Sequence, residues 1–168
     1  MNPVLNKTQF EIDKTNKKIH VSRTFHAPID RVWKAWTDST ILDQWWAPKP
    51  WKAETKSQDF KEGGTWLYSM VGPNGERHWS GMDYEHIEKE KNFSGTDYFC
   101  DEKGVKNPSL PSTRWSDVFS STGDGTKVDI HLTFQKLEDL EQLIGMGFKE
   151  GFEMGMNNLD ELIAAKHV

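Results

Sequence analysis

The sequence predicts an α+β fold in which an antiparallel β-meander is followed by a long C-terminal α-helix, with two short helices after the first strand. Three observations carry that reading. Turn signals recur at strand spacing from Trp51 onward, apolar residues keep a helical period through the last quarter of the chain, and residues 21–51 hold five of the eight tryptophans around a short helix signal. Aromatic rings at that density build a core or a pocket wall and bring little acid–base chemistry of their own, so the functional question leans toward binding.

The first strand is expected over residues 19–25, after a polar lead from Asn6 to Lys18 that either continues the strand or frays. Pro28 suits the first position of a helix and Asp30 its first turn. Ile29, Val32, Trp33 and Trp36 then repeat at i, i+3, i+4 and i+7, which makes one face apolar. Asp38 or Ser39 can cap a second short helix bearing Ile41, Leu42, Trp45 and Trp46, and Pro48 and Pro50 stop it. Beyond Trp51 the turns fall at residues 62–64, 72–75, 88–92, 101–111 and 123–125, the punctuation of a meander. Its cleanest strand spans residues 126–135, where Val128, Ile130, Leu132 and Phe134 alternate with Lys127, Asp129, His131 and Thr133. One face is therefore buried and the other, with His131, is wet.

The helical period runs through Leu140, Leu143, Ile144, Phe148, Phe152, Met156, Leu159 and Ile163. Gly145, Gly147, Gly151 and Gly155 interrupt it, each costing about 1 kcal/mol relative to alanine in a helix interior. Two readings account for them. One is close packing of the helix on the sheet, or a break into two pieces near Gly145 to Gly147. The other is a bare stripe that makes room for a ligand, with Met146, Phe148, Phe152 and Met156 as adaptable walls.

A chain of 168 residues is near the usual size of one domain. We expect a lead over residues 1–18 and a single domain over residues 19–168. A net charge of -5 and a pI near 5.7 argue against non-specific attraction to nucleic acid or to an anionic membrane. Cys100, the single cysteine, excludes an internal disulfide framework and a multi-cysteine zinc site. No apolar run approaches the roughly 20 residues of a membrane span, and the first residues lack a signal-peptide core, so a cytoplasmic protein is expected.

Arg23, Ala27, Pro28, Val32, Ala35, Trp36, Thr37, Trp45, Trp46 and Pro48 form a signature in the run RTFHAPIDRVWKAWTDSTILDQWWAPKPW. Further on stand Gly63-Gly64-Thr65-Trp66, Gly81, residues 97–104, Gly123-Asp124-Gly125-Thr126 and residues 147–152. Together they resemble the heat-shock-protein-90 ATPase activator homologue family, within the SRPBCC superfamily of START-like and birch-pollen-allergen-like proteins. The resemblance covers about residues 19–165. It implies a helix-grip fold: a curved antiparallel sheet wrapped around a long C-terminal helix, with a cavity between them. Such scaffolds carry lipid transport, polyketide cyclisation, chaperone stimulation or no chemistry at all. Eukaryotic co-chaperones of the family pair this domain with a separate N-terminal docking domain. Here residues 1–18 precede the first strand, which weighs against direct chaperone activation.

Few side chains point to catalysis. His78 and His86 share strand parity but lie about 27 Å apart, and His20, His26 and His167 are scattered, so no metal or other cofactor is expected. Asp83 and Glu85, about 7 Å apart on one strand, match glycosidase carboxylate spacing and equally a solvated strand face. No nucleophile elbow, phosphate loop or dinucleotide fingerprint is present, and Cys100 reads as a small buried hydrophobe. Asp117 alternates with Trp115 and Phe119 and turns inward if those rings do, with Arg23 as its best candidate partner. The bland alternative is that one of these strands carries its polar residues outward or holds a bulge.

The candidate ligand-binding residues are Arg23, then Trp36 and Trp45 of the short helices, and Trp66 and Tyr68, with Met70, on the strand after Gly64. Met82 and Tyr84, or alternatively Trp79, serve the next strand, with Gly81 as a parity-changing bulge. Tyr98 adds a hydroxyl, Trp115, Asp117 and Phe119 follow, and Phe148, Phe152 and Met156 complete the set from the last helix. The loop over residues 101–111 reads either as a lid on the cavity mouth or as a plain surface loop. We expect non-covalent binding of a small apolar or aromatic molecule. A second reading is a stress-linked interaction module with a chaperone as partner, which would expose apolar surface at Trp45, Trp46 and Trp51. A third is a cyclase or hydrolase that pairs Asp117 with Arg23 or Tyr98. A monomer and a homodimer both suit such a domain.

Overall fold

The structure is a computed structural model and describes residues 8–166. Asn6, at the start of the polar lead, and His167 lie outside them. Eight strands form one sheet: β1 (Gln9–Asp13), β2 (Lys18–Phe25), β3 (Lys52–Gln58), β4 (Thr65–Val71), β5 (Arg77–Glu88), β6 (Asn92–Cys100), β7 (Thr113–Thr122) and β8 (Gly125–Thr133). Their order is β1-β2-β8-β7-β6-β5-β4-β3, and each neighbouring pair is antiparallel. Helices α1 (Ile29–Thr37) and α2 (Ser39–Trp45) join β2 to β3, and α3 (Leu137–Gly145) and α4 (Phe148–Ala164) follow β8. Because β3 is the far edge of the sheet from β2, the α1–α2 connection has to cross the sheet, and the meander returns strand by strand until β8 pairs with β2. This is the α+β helix-grip fold, a curved sheet closed around the C-terminal helical segment.

The polar lead neither continues the first strand nor frays over its described part. It doubles back at residues 14–17, with Lys17 at φ 57, and residues 9–13 pair antiparallel with β2 in a register that sets Phe10 opposite Val21. Its exposed Glu11 and Asp13 suit an edge strand, where charge discourages pairing with other chains.

Pro28 is the N-cap of α1 and its carbonyl accepts from the Arg31 and Val32 amides, one position earlier than its expected place in the first turn. Asp38 performs two jobs. Its amide donates to the Lys34 carbonyl to close α1, and its Oδ1 accepts from the Thr40 amide at 2.9 Å to open α2. The buried face of α1 brings Trp33 edge-on to Phe60, Phe93 and Phe119, and Trp36 edge-on to Phe25, Trp45, Trp46, Phe119 and Phe152. Such pairs add about 0.5–1.5 kcal/mol each beyond their buried area. On the opposite face of the sheet His131 is exposed and stacks on His20 with ring centroids 4.5 Å apart.

The long C-terminal helix is two helices. Gly147, at φ 87, stands between α3 and α4 in the left-handed region that glycine tolerates best. The glycine stripe inside α4 packs on the end of α2 rather than on the sheet. A Cβ on Gly155 would stand 3.2 Å from the carbonyl oxygens of Trp45 and Trp46, and one on Gly151 would meet Pro48 Cγ at 3.6 Å. Asn158, one turn on, donates from Nδ2 to the Ala47 carbonyl at 3.1 Å and so satisfies backbone that α2 leaves open.

The glycines of one stripe therefore respond to alanine with opposite signs. Gly147→Ala costs about 1–2 kcal/mol because of its positive φ, whereas Gly151→Ala, in a helix interior with room for a methyl, gains about 0.5–1 kcal/mol. Urea unfolding of the two variants checks this, and a loss of stability in Gly151→Ala would refute it.

Candidate functional site

Strand alternation sends Trp66 and Tyr68 of β4, Met82 and Tyr84 of β5, Phe93 and Asp97 of β6, and Trp115 and Asp117 of β7 to the concave face. With Trp36, Leu42 and Trp46 above them they enclose an inner hollow of ≈ 30 Å³. A larger hollow of ≈ 230 Å³ opens beside it. Met70, His78, Ser80 and Phe99 line its sheet side, and Leu143, Met146, Gly147, Phe148, Gly151 and Phe152 line the side made by the α3–α4 corner. Trp46, Tyr68, Asp97 and Trp115 belong to both walls, so the hollows meet there.

The rings are fixed by stacking and by hydrogen bonds. Trp66 and Tyr68 stack at 4.0 Å, and Phe148 and Phe152 at 5.2 Å. Trp46 Nε1 donates to the Tyr68 hydroxyl at 3.0 Å, Trp66 Nε1 to Thr55 Oγ1 at 2.9 Å and Trp115 Nε1 to Asp97 Oδ2 at 2.7 Å. The Thr113 amide donates to Asp97 Oδ1 at 3.1 Å. Trp36 Nε1 and Asp117 Oδ1 are buried with no hydrogen-bond partner among the described residues.

Both carboxyls are shifted toward the protonated form. Desolvation pushes Asp97 up to about 7, while its Trp115 and Thr113 donors pull the other way. Asp117 is 2% exposed, and burial holds it well above the usual carboxylate range with nothing opposing. Burial also raises the Tyr68 and Tyr84 phenols. Among the described residues the two walls carry these carboxyls and His78, and no lysine or arginine.

The other expected site residues fall elsewhere. Arg23 points inward, as its parity implied, but its guanidinium is held by Thr8 Oγ1 at 2.8 Å, Asn157 Oδ1 at 2.7 Å and the Asp160 carboxylate. Strand β8 lies between β2 and β7, and α4 supplies the charge that Asp117 was expected to supply. The Arg23–Asp117 pair is thus replaced by Arg23–Asp160. Trp45, Phe119 and Met156 are core residues that line neither hollow. Trp45 is 1% exposed, Trp46 lies between the hollows and Trp51 is half-buried against His78, so the exposed tryptophan surface of the interaction-module reading is not formed.

Tyr98 lies on the convex face. Its hydroxyl donates to Asp83 Oδ1 at 2.8 Å, and its ring covers Gly81, where a Cβ would come within 2.5 Å of it. Gly81 is thus a seat in regular pairing; the bulges occur at Thr55/Ser57 and Tyr84/His86. Trp79 shares this outer face beneath Lys56 and Arg77. The loop over residues 101–111 also packs outside, with Lys106 Nζ 4.6 Å from the Tyr98 ring centre and 3.4 Å from Asp83. It is not a lid. Glu85 is engaged separately by Arg114 at 2.6 Å and Thr96 at 3.0 Å, and the bulge parts His86, beside Glu62, from the parity of His78. Among the described residues no three His, Cys, Asp or Glu side chains gather as metal ligands. Sequence reasoning passed over as lining residues Phe93, Asp97 and Phe99 of β6, which alternation carries inward together, and His78 and Ser80 of β5.

A carboxyl with a raised folded-state pKa contributes fully below its unfolded value of 3.8, and that contribution is lost as pH rises through about 7. Asp97→Asn removes this group, so the decline in Tm between about pH 4 and pH 7 becomes shallower than in the wild type. Calorimetric melts across that range test it, and an unchanged slope would count against a desolvated Asp97.

No curated protein matches this chain. Among solved structures it is similar to protein Ms6760 from Mycobacterium smegmatis at 27% identity and a TM-score of 0.86, covering 93% of this chain and 96% of that one. A protein from Arthrobacter aurescens, solved by NMR, is 26% identical with a TM-score of 0.88, covering 94% and 91% respectively. One from Staphylococcus epidermidis is 28% identical with a TM-score of 0.81, covering 92% and 94%. No helix among the described residues is long and apolar enough to cross a membrane. The family described as "Activator of Hsp90 ATPase homolog 1-like protein" matches residues 26–164, and this chain belongs to that family.

Proposed function

We propose that this protein binds a small apolar or aromatic molecule, without covalent chemistry, in the hollow between the sheet and the α3–α4 corner. The observation that carries the reading is a space of ≈ 230 Å³ walled by Trp46, Tyr68, Met70, Phe99, Trp115, Phe148 and Phe152 and floored by a few polar groups. That is the composition of a ligand site: apolar area supplies affinity and isolated polar groups supply orientation. The enzymatic reading loses support from the same geometry, since Arg23 is held by Asp160 and Tyr98 by Asp83, both away from Asp117. A chaperone as partner rests on family membership alone.

Native mass spectrometry of protein purified from its own host, beside denaturing spectra, is expected to show a retained small molecule. In a thermal-shift screen of apolar compounds, a ligand at 100 times its Kd adds about 2.7 kcal/mol, or about 5–10 °C in Tm. Ser80→Phe places a ring into the hollow and is expected to weaken any hit at least about fivefold, because overfilling costs about 1–3 kcal/mol. An empty protein with no shift across the screen would sink the binding role.

A further inference from the structure

The inner hollow joins three features that the apolar character of the larger one does not explain. The first is a pair of buried polar atoms without partners, the donor Trp36 Nε1 and the carboxyl oxygen Asp117 Oδ1, on side chains that line the same space. Buried polar groups are almost always paired, because leaving one unmade forfeits its desolvation. The second is size. A space of ≈ 30 Å³ holds about one water-sized group, enough for a hydroxyl and too small for a carboxylate or phosphate. The third is charge, since among the described residues neither wall carries a lysine or arginine to receive an anion.

We propose that the inner hollow is a hydroxyl subsite, and that the ligand is a neutral aromatic alcohol or phenol whose O–H reaches Trp36 Nε1 and Asp117 while its ring lies in the larger hollow. This rests on the binding role proposed above. A hydroxyl both accepts and donates, so its oxygen takes the indole N–H and its proton goes to the carboxyl oxygen. An ammonium has no lone pair for the indole N–H, and an ether has no proton to give. Burial raises the Asp117 carboxyl toward its protonated form, which suits a neutral guest. Trp115, which lines both hollows, stands two residues from Asp117 on β7, about 7 Å along the strand, so a ring at the junction can carry its hydroxyl to Asp117.

The test is a titration, followed by calorimetry and by tryptophan fluorescence, with naphthalene, 2-naphthol, 2-methoxynaphthalene, 2-naphthoate and 2-naphthylmethylammonium. The wild type is expected to bind 2-naphthol about tenfold more tightly than naphthalene or the methyl ether, the gain of about one net hydrogen bond, and to bind the naphthoate most weakly. Trp36→Phe and Asp117→Leu are each expected to bring the naphthol-to-naphthalene ratio close to one. Should Asp117→Leu not fold, Trp36→Phe decides, because it retains a ring. Equal affinity for naphthalene and naphthol would overturn the hydroxyl subsite and leave the binding role standing, as would a preference for the ammonium. No binding by any of the five would remove both.

Discussion

The fold depends on the ring of Trp36, where four elements meet. Phe25 of β2, Trp45 of α2, Phe119 of β7 and Phe152 of α4 all pack edge-on against it at centroid distances of 4.8 to 6.5 Å. Each of those elements comes from a different part of the chain, so the contact is made only when the α1–α2 crossing, the meander and the terminal helix are all in place. Rings packed in this manner have few ways to deform. Aliphatic side chains could flow into the gaps between them, but large planar groups meeting at steep angles leave gaps of fixed shape. The hollows follow from that geometry as much as from any single small residue.

Polar atoms set what those gaps tolerate. The indoles of Trp45, Trp46, Trp66 and Trp115 each find an acceptor within 3.0 Å, and only one of these acceptors, on Asp97, is a carboxylate. Asp117 lies deeper and has no such donor at Oδ1. A leucine in place of Asp117 would fill similar volume without the desolvation cost, so that carboxyl lowers the stability of the empty fold, whereas Asp97 is offset by its two donors. Proteins commonly concentrate such local costs at functional sites.

Local chemistry was legible in the sequence, and angular docking was not. Period-two alternation along β8, the apolar face of α1, the cap at Asp38 and all five turns are short-range features, and each appears where the pattern of residues places it. The strand β1 was obscure because its pairing depends on a turn at Lys17 without a glycine. The glycines at 145 and 147 signalled a break as one of two readings, and the backbone angle at Gly147 decides for it by separating α3 from α4. Tyr98 lies outside and Asp97 inside because β6 alternates strictly from Phe93 onward, and the expectation of a Tyr98 hydroxyl in the cavity did not apply that alternation. The partner of Arg23 depends on how far α4 reaches across β2, a distance that no strand pattern encodes.

The convex face also carries weight. Leu67, Gly81 and Tyr98, with Asp83 and Lys106 bonded around them, form a small cluster that clamps β4, β5, β6 and the loop over residues 101–111 from outside. Held on both sides, these strands act as a stiff half-shell. On the binding role proposed above, adjustment to guests of different length falls to the opposite side, where Gly147 joins two helices and the half-exposed Met146 offers a pliable edge. Changes that vary which molecules are accepted should therefore collect at that corner, while the sheet remains as it is.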